Sequence, residues 1–433
     1  MRRFAPLLGA TLIAATACGV GNTRLAAPQA PASYQAERAQ RLAPIGPFTR
    51  IHRSRVKTHD EDIMSGLATF ADTRSRLARE AVARGARLTF RTATRSRGSV
   101  PMPEGGDTVP VTGQLVAQNL AGNQAGVANA TVEIKGKGGQ TVATTTTGPD
   151  GAWQVALDTK YQRIALTVHY VLANKLWKIG DYDWKGPEFT AGTGVDVGQS
   201  VMDPKEANGQ AALIQEVFNR YVTFFTASGV NLEFWDSAIE VSWPSGGDYY
   251  SWGTVNLTAA QQWDVNAHEI GHAISDIGIN MRFGGGQHYI DKCYDETLAW
   301  SEGVATFLGL AVSTTPDDPD AKFQFMVKRR APLRYENVPG DKDPDHPDAP
   351  PVCAGPTNEW RAGAAMWDLY DTHADGTDGT GVAFGTIWGA IAKGNGKPAI
   401  SSVKHAFKYV REKVDPETAA KFPATAKQNT IDL

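Results

Sequence analysis

An α+β fold is expected for this chain, an antiparallel β-sandwich followed by a small sheet and then mostly helices. Two observations carry that expectation. From Asp107 to about Pro204 apolar residues alternate with polar or small ones, the period-two pattern of half-buried strands. From about Glu206 they recur at three- and four-residue spacing, the pattern of amphipathic helices. Strands first and helices after is the order of an α+β unit, not of an alternating parallel one. A length of 433 residues leaves room for more than one domain, and a formal net charge of −3 gives no reason to expect nucleic acid as a partner.

Arg2 and Arg3 precede an uncharged, largely apolar run from Phe4 to Ala17, too short to span a bilayer comfortably but right for a secretory signal. Ala15-Thr16-Ala17-Cys18-Gly19 offers two endings. One is an Ala-x-Ala cleavage site; the other is a bacterial lipobox in which Cys18 becomes the lipidated first residue, although Ala15 stands where such boxes usually carry Leu. Either ending places the mature bacterial chain outside the cytoplasm, and the second anchors it to the membrane through Cys18. Residues 1–18 are therefore read as a signal and 19–106 as a linker. Its basic side chains well outnumber acidic ones, and Ile63 to Leu88 has a helical look. A solvated helix or tether is the plain reading of that segment, with contact to anionic lipid or cell-wall polymer as the alternative. Cys293 and Cys353 remain as an even pair in an oxidising compartment and are expected to form a disulfide, since no CxxC spacing suggests a metal site instead.

Within 107–204 the strands are marked by Val109/Val111, Val132/Ile134, Trp153/Val155/Leu157 and Ile164/Leu166/Val168/Tyr170, with Pro149-Asp150-Gly151 as a tight turn. The run from Thr144 to Trp153, with Val111-Thr112-Gly113 before it, resembles the carboxypeptidase-regulatory-like (transthyretin-like) domain. That resemblance implies spacing, stabilisation or substrate presentation, not catalysis.

Within 205–433, Leu213, Val217, Tyr221 and Phe224 mark a helix, and Ile239/Val241/Trp243 and Trp252/Thr254 with Val255/Leu257 mark short strands. Further helices are expected over Glu296 to Ala311, Glu359 to His373, Phe384 to Ile391 and Ser401 to Val414. The acidic, Pro-rich interruptions Asp317 to Ala321 and Pro339 to Pro356 are solvated loops by default, with Ca2+ binding as the alternative.

His268-Glu269-Ile270-Gly271-His272 carries the chemistry. On a helix, residues four apart share a face, so His268 and His272 can meet one zinc ion while Glu269, about 100° round, stays free to act as a base. Ile270, Ile274 and Ile277 place the motif on a buried helix. Catalytic zinc takes three protein ligands and leaves a position to water. Glu302 in Trp300-Ser301-Glu302-Gly303-Val304-Ala305 is the candidate third ligand, because Gly303 and Ala305 allow close helix packing; Glu296 is the competitor. Gly271 and Gly303 each cost a helix about 1 kcal/mol against alanine, which close packing around a metal would offset. The strand through Trp252, Thr254 and Asn256 is the expected edge on which an extended peptide would add.

The stretch from His268 to Asp276 is similar to the zinc helix of thermolysin-like gluzincins, and Trp300 to Ala305 looks like the second zinc helix of aminopeptidase-type gluzincins. With Trp367-Asp368-Leu369-Tyr370-Asp371 downstream, the chain from about Glu206 resembles secreted bacterial gluzincin-type metallopeptidases. The resemblance implies hydrolysis of peptide bonds in a peptide or protein substrate by zinc-activated water, with Glu269 as general base and later proton donor to the leaving amine. Departures are equally informative. Glu302 lies farther beyond His272 than is usual in those relatives, so an insertion through Gly284-Gly285-Gly286 must be accommodated. Thr306 stands where thermolysin-like enzymes carry an aspartate that orients a zinc histidine, leaving Asp276 or Asp295 for that role. The helix stretch Asn358 to Gly363 lacks the oxyanion histidine, leaving Tyr370, Arg361 or His373. No Gly-x-Met-Glu-Asn motif precedes the zinc helix, which disfavours aminopeptidase action and points to an endopeptidase. The alternatives are a catalytically weak cell-surface binding protein and a zinc hydrolase of a cell-wall peptide or other amide.

Overall fold

The computed structural model describes residues 108–118, 124–203, 205–260, 262–327 and 329–433. The expected signal, Cys18 and the basic segment 19–106 lie outside the described residues. The fold is α+β. Two sheets face each other across the first half. One contains β1 (Thr108–Gln118) with antiparallel neighbours β2 (Gln124–Gly126) and β5 (Ala152–Asp158) and a parallel neighbour β8 (Val195–Met202). The other begins with β3 (Thr131–Lys135), β4 (Thr141–Thr146), β6 (Ala165–Ala173) and β7 (Trp177–Thr190). The alternating residues turn inward as expected: Val132, Ile134, Leu157, Val168 and Tyr170 are fully buried. The Tyr170 hydroxyl ties the layers together, accepting from Trp153 Nε1 at 3.2 Å and meeting Ser200 Oγ at 3.0 Å, both on the opposite sheet. Ile164 departs from the expected pattern; it lies just before β6 and is exposed.

The sandwich is not purely antiparallel, and it does not end at residue 204. The start of β7 pairs in parallel with β9 (Ile239–Ser242), which pairs in parallel with β11 (Thr254–Asn256), and β10 (Tyr249–Ser251) closes the row. The second sheet is thus seven strands in the order β10-β11-β9-β7-β6-β3-β4. Helix α1 (Ala207–Ala227) connects the two halves, stacking Phe218 on Trp177 at 5.1 Å between ring centroids. Its Gln215 and Asn219 amides donate to the Ala128 carbonyl at 2.6 and 3.1 Å.

The helical half contains α2 (Trp263–Gly278), α3 (Glu296–Ala311), α4 (Glu359–Tyr370), α5 (Phe384–Ile391), α6 (Val403–Arg411) and α7 (Pro416–Gln428). A disulfide joins Cys293 to Cys353, with Cα atoms 5.6 Å apart, and so ties the segment entering α3 to the segment entering α4. Three carboxylates of the acidic interruptions are paired with cationic side chains. Asp343 pairs with Arg330 at 2.9 Å, Asp345 with Arg334 at 2.7 Å, and Asp320 with Lys322 and Arg334.

Candidate metal centre

Helix α2 is buried along nearly its whole length, not merely on the Ile270 and Ile274 face. Asp264 anchors its first turn by accepting backbone N–H groups of Gln324 and Phe325 at 2.5 and 2.7 Å, while burial holds its carboxyl up at about 6. Tyr221 of α1 donates to the Ala267 carbonyl at 2.8 Å. The glycines set the helix spacing. A Cβ on Gly271 would lie 2.6 Å from the Ala305 carbonyl oxygen of α3, and one on Gly303 would lie 2.8 Å from Ala362 Cβ of α4. Gly271 therefore brings α3 to the histidine helix, as does Gly309, where a Cβ would lie 3.1 Å from His268 N, whereas Gly303 brings α3 to α4.

That packing delivers Glu302 to the histidine pair. Glu302 Oε2 is 3.2 Å from His268 Nε2 and 3.1 Å from His272 Nε2, and the two imidazoles stand nearly perpendicular with centroids 4.6 Å apart. Donors bonded at about 2.0–2.1 Å to one tetrahedral ion lie roughly 3.3 Å apart, so these three groups fit a single divalent metal. His268 Nδ1 lies 3.0 Å from Thr306 Oγ1. The hydroxyl can donate or accept, so it holds the ring whichever nitrogen carries the proton. Glu269 is fully buried, with its ligand oxygen within 4.8 Å of both histidine donor atoms. Among the described residues neither of its oxygens receives a hydrogen bond of normal geometry. Burial, then Glu302 and Asp248, push its carboxyl well above the usual range, and the Tyr250 backbone N–H partly offsets them. Burial pushes His268 down to about 4, against the pull of Glu302.

His288 joins this centre unannounced by the sequence. Its Nδ1 faces the Gly286 carbonyl at 2.9 Å, while Nε2 faces Glu359 and Glu302 at 3.4 and 3.6 Å. With acceptors on both sides, the ring can donate from both nitrogens as an imidazolium, a charge partner for the glutamates, and its ligand atom also lies within 4.8 Å of those of Glu302 and Glu359, a second group that could hold a metal ion. Burial alone would lower its pKa, but Glu359 and Glu302 outweigh it and raise it to about 9. Glu302 is correspondingly held anionic, while burial lifts Glu359 to about 7. The long insertion is accommodated where Gly284 lies on the α3 backbone, since a Cβ there would sit 2.3 Å from Leu298 Cα. The insertion's unusual length was the one available sign that it carries part of the centre.

The other expected residues are placed elsewhere. Asp276 accepts from the Tyr250 hydroxyl, and Asp295 caps α3 through the N–H groups of Thr297 and Leu298 at 2.9 and 3.0 Å. Thr306 fills the orienting role instead, because it stands one turn beyond Glu302 on the face of α3 that meets α2. Glu296 is in the first turn of α3, away from the histidines. Tyr370 packs in an aromatic cluster with Phe224, Phe307, Trp367 and Phe384. Arg361 donates to the Cys353 and Pro339 carbonyls at 2.9 and 3.1 Å, and His373 lies 3.2 Å from Glu336. Loop hydrogen bonds thus engage Arg361 and His373, while the ring of Tyr370 is held in the aromatic cluster. Trp252 lies in the β10–β11 turn at φ 52° beside Gly253 at φ 82°, so the chain reverses where a straight strand was expected. Thr254 and Asn256 pair with strands on both sides, and the sheet edge is β10.

No family model and no curated protein matches the chain. Among solved structures it is similar to a 9R-lipoxygenase from Cyanothece PCC8801 at 11% identity and TM-score 0.17, covering 38% of this chain and 31% of that one. It is also similar to the Bacillus anthracis TIE protein at 15% identity and TM-score 0.16, covering 22% of this chain and 17% of that one. The chain therefore spans less than a third of the length of either, and likenesses at this level leave the chemistry to the residues themselves.

Proposed function

We propose that this chain is a zinc-dependent endopeptidase of gluzincin type, exported from a bacterial cytoplasm. The observation that carries this reading is the convergence of His268 and His272 Nε2 on Glu302 Oε2 at 3.2 and 3.1 Å, beside the buried carboxylate of Glu269. His268, His272 and Glu302 would hold the ion, a two-imidazole, one-carboxylate donor set suited to zinc. When bound, zinc supplies Lewis acidity, acidifying water and polarising an amide carbonyl. Glu269 accepts the water proton and returns it to the departing amine. Tyr294, its ring centroid 6.5 Å from that of His288 and its buried hydroxyl without a hydrogen-bond partner of normal geometry among the described residues, would donate to negative charge growing on the carbonyl oxygen. An extended substrate would add its main chain to β10, which recognises backbone irrespective of a terminus and so favours internal cleavage. The Cys293–Cys353 bridge supports an oxidising compartment, and a lipid on Cys18 belongs to the same proposal.

Metal content and cleavage of a mixed peptide library test the reading together. Wild type and Glu269→Gln are expected to hold about one zinc each, with the variant slower by roughly 10²–10⁴-fold, whereas Glu302→Ala loses the metal. Zinc-loaded wild type that cleaves no peptide would overturn the peptidase assignment, and full zinc retention by Glu302→Ala would overturn the ligand set.

A further inference from the structure

We propose a calcium site where α4 ends, built by Glu336, Asp371, Asp375 and Asp378 and distinct from the centre around His268. The loop Asp371-Thr372-His373-Ala374-Asp375-Gly376-Thr377-Asp378-Gly379 turns back over α4, and Glu336 reaches it from just after the short strand Leu333–Arg334. One ligand atom each from Glu336, Asp371 and His373 lies within 4.8 Å of the others.

Two of these carboxylates point to a cation as their partner. Asp371 is 1% exposed and Asp378 3%, yet among the described residues neither oxygen of either side chain has a hydrogen-bond partner. The backbone N–H of His373 eases the charge on Asp371 from nearby, but it donates to the Pro316 carbonyl at 3.3 Å. Asp368 adds a third buried carboxylate, with only Oδ2 engaged, by Asn429 Nδ2 at 2.6 Å. Among the described residues no lysine or arginine forms an ion pair with any of these acids, whereas Asp320, Asp343 and Asp345 on the same half of the molecule are matched by Arg330, Arg334 and Lys322. Buried carboxylates are ordinarily paired, hydrogen-bonded or bound to metal. Burial and mutual repulsion raise Asp371 to about 8 and Glu336 to about 7, the penalty a cation would relieve.

The donors select the ion. Carboxylate oxygens dominate, and His373 Nδ1 is already directed to Glu336 Oε2 at 3.2 Å. Asp375 is held in place by the amides of Asn337 and Gln428, each oxygen keeping a lone pair. A loop with glycines at φ 48° (Gly379) and 58° (Gly381) suits the adaptable, oxygen-rich shell of calcium better than the strict octahedron of magnesium or the N/S preference of zinc. Bound there, calcium would fasten α7, through Gln428 and Asn429, to the end of α4.

The test uses the full chain, zinc-loaded and stripped of calcium with a selective chelator, titrated with calcium chloride by calorimetry and by thermal unfolding. One calcium per chain and a rise in Tm of several degrees are expected. Asp371→Asn and Asp378→Asn, which keep the side-chain shape, should each weaken binding at least tenfold, while Asp345→Asn in an arginine-paired loop leaves it unchanged. No heat and no Tm change up to about 10 mM calcium would overturn the site. So would unaltered binding by both aspartate variants, or preference for zinc or manganese over calcium.

Discussion

At the scale of single residues, Thr306 shows how a role can pass to a weaker group. Its hydroxyl stands 3.0 Å from His268 Nδ1, in the position of a carboxylate that would fix the ring's proton on that nitrogen. Thr306→Val keeps the volume and removes the hydrogen bond. Partners of metal-binding histidines typically contribute 10–100-fold to affinity, so zinc affinity in a competition titration should fall by about that factor, with Thr306→Ser restoring most of it. Equal affinity in the valine variant would mean that packing alone holds the ring. His268, Glu269, His272 and Glu302 were legible because i, i+4 spacing and a glutamate beside small helix residues are patterns within the chain. His288 was not, because its role depends on where a glycine-rich loop crosses two glutamates far away in sequence. Arg361 and His373 show the complementary point: polar residue types announce capacity, and only packing shows that loop carbonyls and Glu336 engage it.

At the scale of elements, the glycine contacts make the helix spacing testable. Gly271→Ala gains up to about 1 kcal/mol in helix propensity but drives a methyl to within 2.6 Å of the Ala305 carbonyl oxygen. Overpacking of this kind costs about 1–3 kcal/mol, so a net loss of stability is expected in denaturant unfolding at unchanged m-value; a stabilised variant would refute the close approach. Helices α3 and α5 appear over the residues their periodicity marks, since long runs of one period leave little ambiguity. β7 escaped notice because Gly180, Gly186 and Pro187 read as breakers, whereas the strand absorbs them with shifts of register against β6. α7 escaped for a similar reason. Pro423 inside it reads as a breaker, although Asp415 capping Glu417 and Thr418, with Pro416 at the first helical position, is a start signal that could have been read.

At the scale of the whole molecule, the disulfide closes a separation of 60 residues that contains all of α3. Chain-entropy reasoning puts the stabilisation from such a loop at roughly 4 kcal/mol, so Cys293→Ser/Cys353→Ser should unfold at markedly lower denaturant. An unchanged midpoint would show that the unfolded chain is already constrained there. The α+β class was legible because the change of period falls between two long stretches. The continuity of the sheet was not, because the parallel pairing of Trp177, Lys178 and Ile179 with Ile239, Glu240 and Val241 joins residues that no local pattern connects. That pairing bears on how the molecule can be divided. A fragment starting at residue 205 would lose β7 and leave β9 with a bare flank of backbone donors and acceptors, an invitation to self-association. The helical half and the sandwich are therefore neighbours that share a wall, and cutting between them would leave each with an open side.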